Sequence, residues 1–265
     1  MSNTIKLSSP ATREFWEIPV LFEDEHLLAL DKPERLLTSP DRLEPDRPSL
    51  MKLLHAAISE GKPWAKQRGL TYLANAHRLD AETSGVLLLA KNKPALVALA
   101  NLFGAEKPAS TCLALVQGAP ENKSFDIEIG IAPHPLKPGL MRADSRNGKP
   151  AKTHFELLEK FRGYSLLHCQ SVTNRAQQIR AHLQYFGCPI TGDTAYGGGQ
   201  LLLSALKSGY RLKEKRIERP LISRVALHAE KLELIHPITQ QPLVLTAEWP
   251  KDMKVAVKYL QRYAV

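Results

Sequence analysis

The chain has 265 residues, of which 43% are hydrophobic and 24% are charged, and no apolar run approaches the roughly 18 residues of a membrane-spanning helix. Its formal net charge of +9 favours a polyanionic partner. The three cysteines lie far apart, without a CxxC or HExxH motif, so the sequence suggests neither a metal site nor a disulfide framework.

The N-terminal part is predicted to contain a tail, two strands and two helices. Residues 1–18 lack the hydrophobic segment of a signal peptide, so we expect a cytoplasmic protein in which these residues form a poorly ordered tail. Residues 20–33 predict two short strands around an acidic turn. Ser49–Gly61 predicts a helix with a capping serine and a glycine stop, and Lys93–Glu106 predicts a second helix.

The C-terminal part is predicted to be mainly sheet, with one strong helix. Asn174–Gly187 predicts a helix whose Ile179, Leu183 and Phe186 face a core. Residues 228–250 predict a hairpin, and the last fifteen residues predict a final helix. Four further segments have strand-like patterns: 111–118, 125–130, 153–161 and 164–172. The fold class is therefore α+β, with a mixed, mostly antiparallel sheet and flanking helices.

The most distinctive stretch is His77–Lys91, HRLDAETSGVLLLAK. It places Arg78 and Asp80 in a polar loop directly before an apolar run, Val86–Ala90, that predicts a buried strand. A neighbouring guanidinium can keep a carboxylate ionised, and a rigid strand can fix where it points. The spacing alone leaves two interpretations open, a catalytic carboxylate and an ordinary surface ion pair.

Positive charge is concentrated around Tyr210. The basic segment, residues 207–231, contains eight lysines and arginines but only three glutamates. The cations are Lys207, Arg211, Lys213, Lys215, Arg216, Arg219, Arg224 and Lys231. A solvated charged hairpin and a phosphate-contacting surface both agree with this composition.

The letters of the HRLD stretch are more specific than its spacing. HRLD, two variable residues, TSG and an apolar strand resemble the signature of the RluA-like pseudouridine synthases. Four more segments resemble elements of that family in the expected order, over roughly Pro19–Met253: LLALDKPERLLTSP, PAKTHFELLEKF, NRAQQIRAHLQYFGCPITGDTAYGG and LHAEKLELIHP. The chain is identified as a member of this family, which implies the pseudouridine synthase catalytic fold over residues 19–265, with a central active-site cleft.

The resemblance implies isomerisation of specific uridines in rRNA or tRNA to pseudouridine, without a metal or a cofactor. The N-glycosidic bond breaks, the uracil turns within the site, and C5 joins the sugar. Asp80 would be the catalytic residue, either through a covalent sugar adduct or by removing a proton from the sugar, and the sequence does not choose between these routes. A uridine in a stem must first be flipped out, at a cost of about a few kcal/mol.

The same resemblance implies roles for three more residues. Arg78 matches the position that fills the space vacated by the flipped base and contacts phosphate. Arg180 matches the arginine that pairs with the catalytic carboxylate, and its planar fork would keep Asp80 ionised and oriented. Ile179 would line the base pocket, although core packing explains this residue equally well.

The chain departs from the family pattern at two places. Cys112 stands where the family has a tyrosine that packs against the flipped base, and a thiol cannot stack; it could accept a proton weakly, or Tyr196 could fill the gap. In NRAQQIR, Asn174, Ala176 and Gln177 also differ from the usual sequence. The alternative function is therefore a catalytically silent RNA-binding paralogue, such as an assembly factor or chaperone.

Substrate choice is expected to lie in the catalytic domain itself. Many relatives carry a small RNA-binding domain in front, and the first eighteen residues are too few to build one. Lys213, Lys215 and Arg216 are the expected RNA contacts, and this basic segment argues against an enzyme that acts on a free nucleoside. We expect a monomer that binds rRNA or tRNA and neither a membrane nor a metal.

Overall fold

The computed structural model describes residues 3–212 and 217–264. The chain divides into two compact units: unit 1 is Met1–Ser110 with Ala229–Glu248, and unit 2 is Thr111–His228 with Trp249–Val265. The predicted RNA contacts Lys213, Lys215 and Arg216 lie outside the described residues.

Strands dominate the described part of the chain, and their bounds in chain order are β1 (Thr4–Ser9), β2 (Glu14–Glu23), β3 (Leu27–Lys32), β4 (Ala74–Asn75), β5 (Ser84–Ala90), β6 (Ala109–Gln117), β7 (Ser124–Glu128), β8 (Ile131–Pro133), β9 (Met141–Ala143), β10 (Lys152–Phe161), β11 (Tyr164–Ser171), β12 (Leu227–Ile235) and β13 (Pro242–Thr246). The α-helices are α1 (Leu50–Ser59), α2 (Pro63–Gln67), α3 (Lys93–Gly104), α4 (Gln178–Tyr185), α5 (Leu203–Leu206) and α6 (Lys251–Tyr263). The described residues contain no helix with the length and hydropathy needed to cross a membrane. The predicted α+β class with a mostly antiparallel sheet is confirmed.

Unit 1 contains the strand order β1-β2-β3-β5-β12, with β4 beside β5 and β13 beside β12. The side chains of β3 and β5 alternate between two faces, as the period of a strand requires. One face packs on α1 through a core that includes Leu28, Leu30, Leu50, Leu54, Leu87 and Leu89. The other packs on α3 through Leu27, Ala29, Val86, Leu88, Ala95 and Leu99. All seven residues of β5 are buried, as the apolar run predicts.

The prediction of a poorly ordered N-terminal tail is wrong for most of residues 1–18. Strands β1 and β2 form an antiparallel hairpin, with Thr4 opposite Pro19 and Ser9 opposite Glu14. Ile5 and Ile18 are fully buried in the unit 1 core. In β1, Lys6 and Ser8 alternate with the buried Ile5 and Leu7, so the segment is polar on average although one face of the strand is apolar.

The predicted helices of unit 1 are confirmed at α1 and α3. Ser49 occupies the N-cap position of α1, but its hydroxyl makes no capping hydrogen bond. The side-chain oxygen of Asn92 caps α3 by accepting a hydrogen bond from the Ala95 amide (2.9 Å). The predicted C-terminal hairpin is confirmed as β12 and β13.

Unit 2 contains the antiparallel order β6-β11-β10-β7 and the small β8-β9 hairpin. The four strands predicted for this part of the chain are confirmed as β6, β7, β10 and β11, and the predicted final helix as α6. Helix α4 begins at Gln178, four residues later than predicted, because Gln177 adopts a left-handed conformation (φ 54°). It ends before Gly187 as predicted, but Phe186 is 41% exposed and stacks on Phe125 rather than facing a core.

Candidate active site

Asp80 lies in the loop between β4 and β5 and is half-buried, whereas Arg78 of the same loop is exposed. The Thr83 amide donates to the Asp80 carbonyl oxygen (3.1 Å), which closes a turn directly after the carboxylate. Gly85 then enters β5 with φ 115°, and a Cβ there would lie 2.2 Å from the carbonyl oxygen of Ala229. The glycine of the TSG motif is therefore required for the loop to meet the sheet as it does.

His77 fixes the start of the loop. Its Nε2 accepts a hydrogen bond from the Leu88 amide in β5 (2.9 Å), and its ring stacks on Phe103 at 4.5 Å. Burial lowers the pKa of His77 to about 4, so the ring is neutral at physiological pH. The Asn75 side chain donates to the His77 carbonyl oxygen (2.9 Å). His77 thus holds the loop and is poorly suited to act as a proton donor.

Thr38 holds the residue immediately before Asp80. Its hydroxyl donates to the Leu79 carbonyl oxygen (2.7 Å) and accepts from the Leu79 amide (3.2 Å). Thr38 is itself buried. Both backbone groups of Leu79 are therefore satisfied by one side chain from a segment far away in sequence.

Lys32, at the end of β3, holds the residue immediately after Asp80. Its side chain is fully buried, and Nζ donates to the carbonyl oxygens of Leu36 (2.7 Å), Pro33 (2.8 Å) and Ala81 (3.3 Å). Burial lowers the pKa of Lys32 to about 7, and the charge of Asp80 acts against this lowering. With a pKa of about 7, Lys32 is a buried amine that is only partly protonated at neutral pH, and its charged form lies within the electrostatic reach of Asp80. The sequence prediction gave it no site role, although a lysine closing the apolar strand LLALDK is a recognisable signal.

In unit 2, Arg180 is held by Asp193. Nε and Nη2 of Arg180 bind the two carboxylate oxygens of Asp193 at 2.7 and 2.8 Å, and both side chains are buried. A bidentate ion pair of this kind orients a guanidinium in its own plane. Arg180 is thus not an exposed helix charge. Its pairing with Asp80 stays a prediction, and sequence reasoning missed Asp193 as its buried partner.

Tyr196 is enclosed by the same cluster. The guanidinium carbon of Arg180 lies 4.7 Å from the centre of the Tyr196 ring, which is 2% exposed. The Tyr196 hydroxyl accepts from the Met141 amide (3.0 Å) and is hydrogen-bonded to the side-chain oxygen of Gln177. Tyr196 therefore presents no exposed ring on which a base could stack, and it does not fill the gap left at Cys112.

Gln177, one of the departures from the family pattern, connects α4 to the segment around β9. Its side-chain nitrogen donates to the Gly139 carbonyl oxygen (2.8 Å), and its oxygen accepts from the Met141 amide (3.2 Å). The residue also adopts the left-handed backbone conformation that delays the start of α4. The glutamine that departs from the family pattern is thus held by hydrogen bonds to both its side-chain nitrogen and its side-chain oxygen.

Cys112 is buried in β6, directly opposite Cys169 in β11. Burial raises the pKa of Cys169 well above its usual value, and the Cys112 side chain adds to this effect. Ile179 is 8% exposed and lies beside Arg180 on α4. Core packing and a place in a base pocket both remain compatible with Ile179.

The basic segment is less uniform than its composition suggests. Arg224 is 4% exposed and forms a bidentate pair with Asp252 of α6 (2.8 and 3.0 Å), so it belongs to the interior. Lys207, Arg211 and Arg219 are exposed. The described residues contain no group of three or more His, Cys, Asp or Glu side chains placed to hold a metal.

Comparison with known sequences extends the resemblance over most of the chain. A family model described as RNA pseudouridylate synthase matches residues 26–185. Ribosomal large subunit pseudouridine synthase D of Nitrosomonas europaea is 36% identical over 245 residues, which are 92% of this chain and 65% of that protein. The enzyme of the same name from Xanthomonas campestris is 34% identical over 238 residues, 89% of this chain and 67% of that protein. This chain thus spans about two thirds of the length of these relatives.

Solved structures with the same fold include two human proteins. Human RNA pseudouridylate synthase domain containing 4 has a TM-score of 0.67 at 22% identity, covering 91% of this chain and 92% of that chain. Human RNA pseudouridylate synthase domain containing 1 has a TM-score of 0.62 at 21% identity, covering 87% and 83%. At these identities, the structures establish the likeness of the fold.

Proposed function

Since this chain belongs to the RNA pseudouridylate synthase family, we propose that it isomerises one or more uridines in RNA to pseudouridine, with Asp80 as the catalytic residue. The observation that carries the proposal is the way the Asp80 loop is held. His77, Leu79 and Ala81 are each bound by a residue from another part of unit 1. A carboxylate on a loop fixed on both sides is preorganised for reaction at a single atom.

The proposed substrate is ribosomal RNA of the large subunit. The relatives from Nitrosomonas europaea and Xanthomonas campestris are named as synthases of the ribosomal large subunit. The net charge of +9 supports a polyanionic substrate. Transfer RNA is the competing substrate class, and mapping of modified positions distinguishes the two directly.

The reaction rearranges the nucleotide without changing its composition. The bond between N1 and C1′ breaks, the uracil turns, a bond between C5 and C1′ forms, C5 loses its proton and N1 gains one. The Asp80 carboxylate either adds to C1′ or takes a proton from the sugar. Both routes need Asp80 ionised, and the protonated form of Lys32 favours that state.

The other predicted site residues have supporting roles in this proposal. Arg78, which is exposed on the Asp80 loop, fills the space of the flipped base and contacts phosphate. Arg180 supplies the positive charge that pairs with the catalytic carboxylate, and Ile179 lines the base pocket. Lys213, Lys215 and Arg216 contact the RNA backbone, so their joint neutralisation should weaken binding and flatten its salt dependence.

A catalytically silent RNA-binding paralogue is the alternative that Cys112 suggested. Its specific prediction is that the carboxylate site has no function. The support of the Asp80 loop argues for the enzyme instead, because contacts to His77, Leu79 and Ala81 fix the residues on both sides of the carboxylate. The comparisons likewise offer no feature that favours it.

Pseudouridine mapping of total RNA, from cells with and without this gene, tests the proposal. The deletion strain is complemented with the wild type or with Asp80→Asn, which has nearly the same size but carries no charge. We expect a site in large-subunit rRNA to disappear on deletion and to return only with the wild type. An unchanged map, or full restoration by Asp80→Asn, would overturn the proposed function.

A further inference from the structure

Helix α6 presents a cationic outer side. It contains four lysines and arginines and one aspartate: Lys251, Lys254, Lys258, Arg262 and Asp252. Asp252 is bound to the buried Arg224, so the exposed charges of the helix are all positive. Lys254, Lys258 and Arg262 recur every four residues and therefore lie along one stripe. Like charges at this spacing repel each other, which stability alone does not favour.

Two tyrosines run beside this stripe. Tyr259 and Tyr263 are both half-buried, and their rings stack with centres 6.0 Å apart and planes 20° apart. The guanidinium carbon of Arg262 lies 5.3 Å from the centre of the Tyr263 ring. A row of aromatic rings thus lies beside the row of cations on this surface.

The tyrosine pair also meets the start of the basic segment. Nζ of Lys207 lies 5.8 Å from the centre of the Tyr263 ring. Lys207 is the first cation of the segment in which the sequence predicts RNA contacts. The end of α6 is held in place by Arg162, whose amide donates to the Ala264 carbonyl oxygen (2.7 Å) and whose Nη2 donates to that of Tyr263 (3.1 Å).

We propose that this surface, the α6 face (Lys207, Lys254, Lys258, Tyr259, Arg262 and Tyr263), binds a single-stranded segment of the substrate RNA. The cations contact phosphates, and the tyrosine rings stack on unpaired bases. An RNA strand offers phosphates and bases side by side, which is the arrangement the two rows match. A duplex keeps its bases stacked inside and would use only the cations. The identity of the partner as RNA rests on the proposed function, whereas the position of the surface rests on these contacts.

The test compares charge variants on and off the α6 face. Lys258→Ala with Arg262→Ala removes two charges from the face, and Lys52→Ala with Lys93→Ala removes two exposed charges from α1 and α3 of unit 1. Binding of a single-stranded RNA oligonucleotide is measured with the full chain over a range of salt concentrations. We expect the first pair to weaken binding about tenfold and to reduce the slope of log affinity against log salt by about 1.4, or roughly 0.7 for each phosphate contact. The control pair should change neither quantity.

A second variant separates stacking from charge. Tyr259→Ala should weaken single-strand binding about tenfold at every salt concentration, with an unchanged slope, because a lost base contact releases no counterions. Binding of an RNA duplex should be unaffected by this variant. Melting temperatures establish that each variant is folded, and Lys258→Gln replaces the double variant if that one is not.

The outcomes separate this proposal from the proposed function. Wild-type affinity and slope in the Lys258 and Arg262 double variant would overturn the α6 face as an RNA surface. Binding of polyglutamate, a model of an acidic protein, is measured with the same variants. If the double variant loses polyglutamate binding but keeps RNA binding, the face belongs to an acidic protein partner and the proposal is overturned. Because the readout is binding, loss of the α6 effect cannot be confused with failure of isomerisation, which Asp80→Asn tests separately.

Discussion

Lys32 donates a hydrogen bond to the carbonyl oxygen of Ala81, the residue directly after Asp80. The lysine is fully buried at the end of β3, and the two residues are 49 positions apart in the chain. One side chain therefore connects the proline-rich loop after β3 to the loop that carries the proposed catalytic carboxylate. When protonated, it also places a positive charge within the electrostatic reach of that carboxylate.

Lys32→Met should lower kcat for isomerisation by about tenfold to a hundredfold and leave KM for the RNA nearly unchanged, because the change displaces the carboxylate without touching an exposed surface. Removing the cation also raises the pKa of Asp80, so the acid limb of the kcat–pH profile should move to higher pH. The matched control is Lys52→Met, at an exposed position on α1. A rise in KM without a fall in kcat, or an unmoved acid limb, would limit Lys32 to a structural role.

His77 should make the protein less stable in mild acid. In the unfolded chain, histidine takes up a proton near pH 6.5, whereas burial lowers the pKa of His77 in the folded protein to about 4. The unfolded state therefore binds more protons between these values, and the free energy of unfolding decreases as pH falls from 6.5 towards 4, by roughly 3 kcal/mol in total.

His77→Gln keeps a hydrogen-bond acceptor for the Leu88 amide but does not titrate. Urea unfolding of both proteins at pH 7, 5.5 and 4.5 should show curves of free energy that converge as pH falls, because other titrating groups affect both proteins alike. Parallel curves would show that His77 does not cause the acid sensitivity.

Asp193→Leu should destabilise the protein by about 3–5 kcal/mol, because it removes the buried carboxylate that holds the guanidinium of Arg180 by two hydrogen bonds. Arg180→Met combined with Asp193→Leu removes both charges and should recover most of this loss. Chemical denaturation measures both effects. If Arg180 has the proposed role at the catalytic carboxylate, the double variant remains inactive although it is stable. An active, stable double variant would show that the ion pair serves the fold alone.

Cys112→Ala should reduce the rate of isomerisation less than tenfold. A buried thiol opposite a second thiol is a poor proton acceptor, because the thiolate would lose its hydration. A group that acts as a general base in a reaction contributes about a hundredfold or more. Single-turnover rates on the mapped RNA site distinguish these cases, and a loss beyond a hundredfold would assign the proton transfer to Cys112.

Local sequence pattern predicted most of the regular structure. Alternating or continuous apolar residues identified β5, β6, β10 and β11, whose burial depends on spacing within the strand itself. The β1–β2 hairpin was missed because its polar residues conceal a single apolar face. The beginning of α4 was misplaced because a left-handed glutamine is invisible to helix periodicity.

The sequence predicts those site residues that belong to a recognisable motif. It does not predict the residues that reach the site through contacts distant in the chain. Asp80, Arg78 and Arg180 came from the family resemblance. The contacts of Lys32 with Ala81 and of Arg180 with Asp193 join residues that no local pattern relates. The same holds for Lys207 and Tyr263, which bring the basic segment to the final helix. Contacts of this kind follow from tertiary structure and not from spacing.

The close packing of Gly85 in β5 against Ala229 in β12 joins two strands that are synthesised far apart in time. Unit 1 receives β12 and β13 only after residues 111–228 have been translated, although β5 is made much earlier. At 5–20 residues per second, this delay is about 6–24 s. During that interval, β5 pairs with β3 but lacks β12 on its other edge, so the apolar residues that β12 and β13 cover remain exposed on the ribosome. The sheet that follows the Asp80 loop is therefore completed near the end of synthesis, which makes the nascent chain a candidate for chaperone protection.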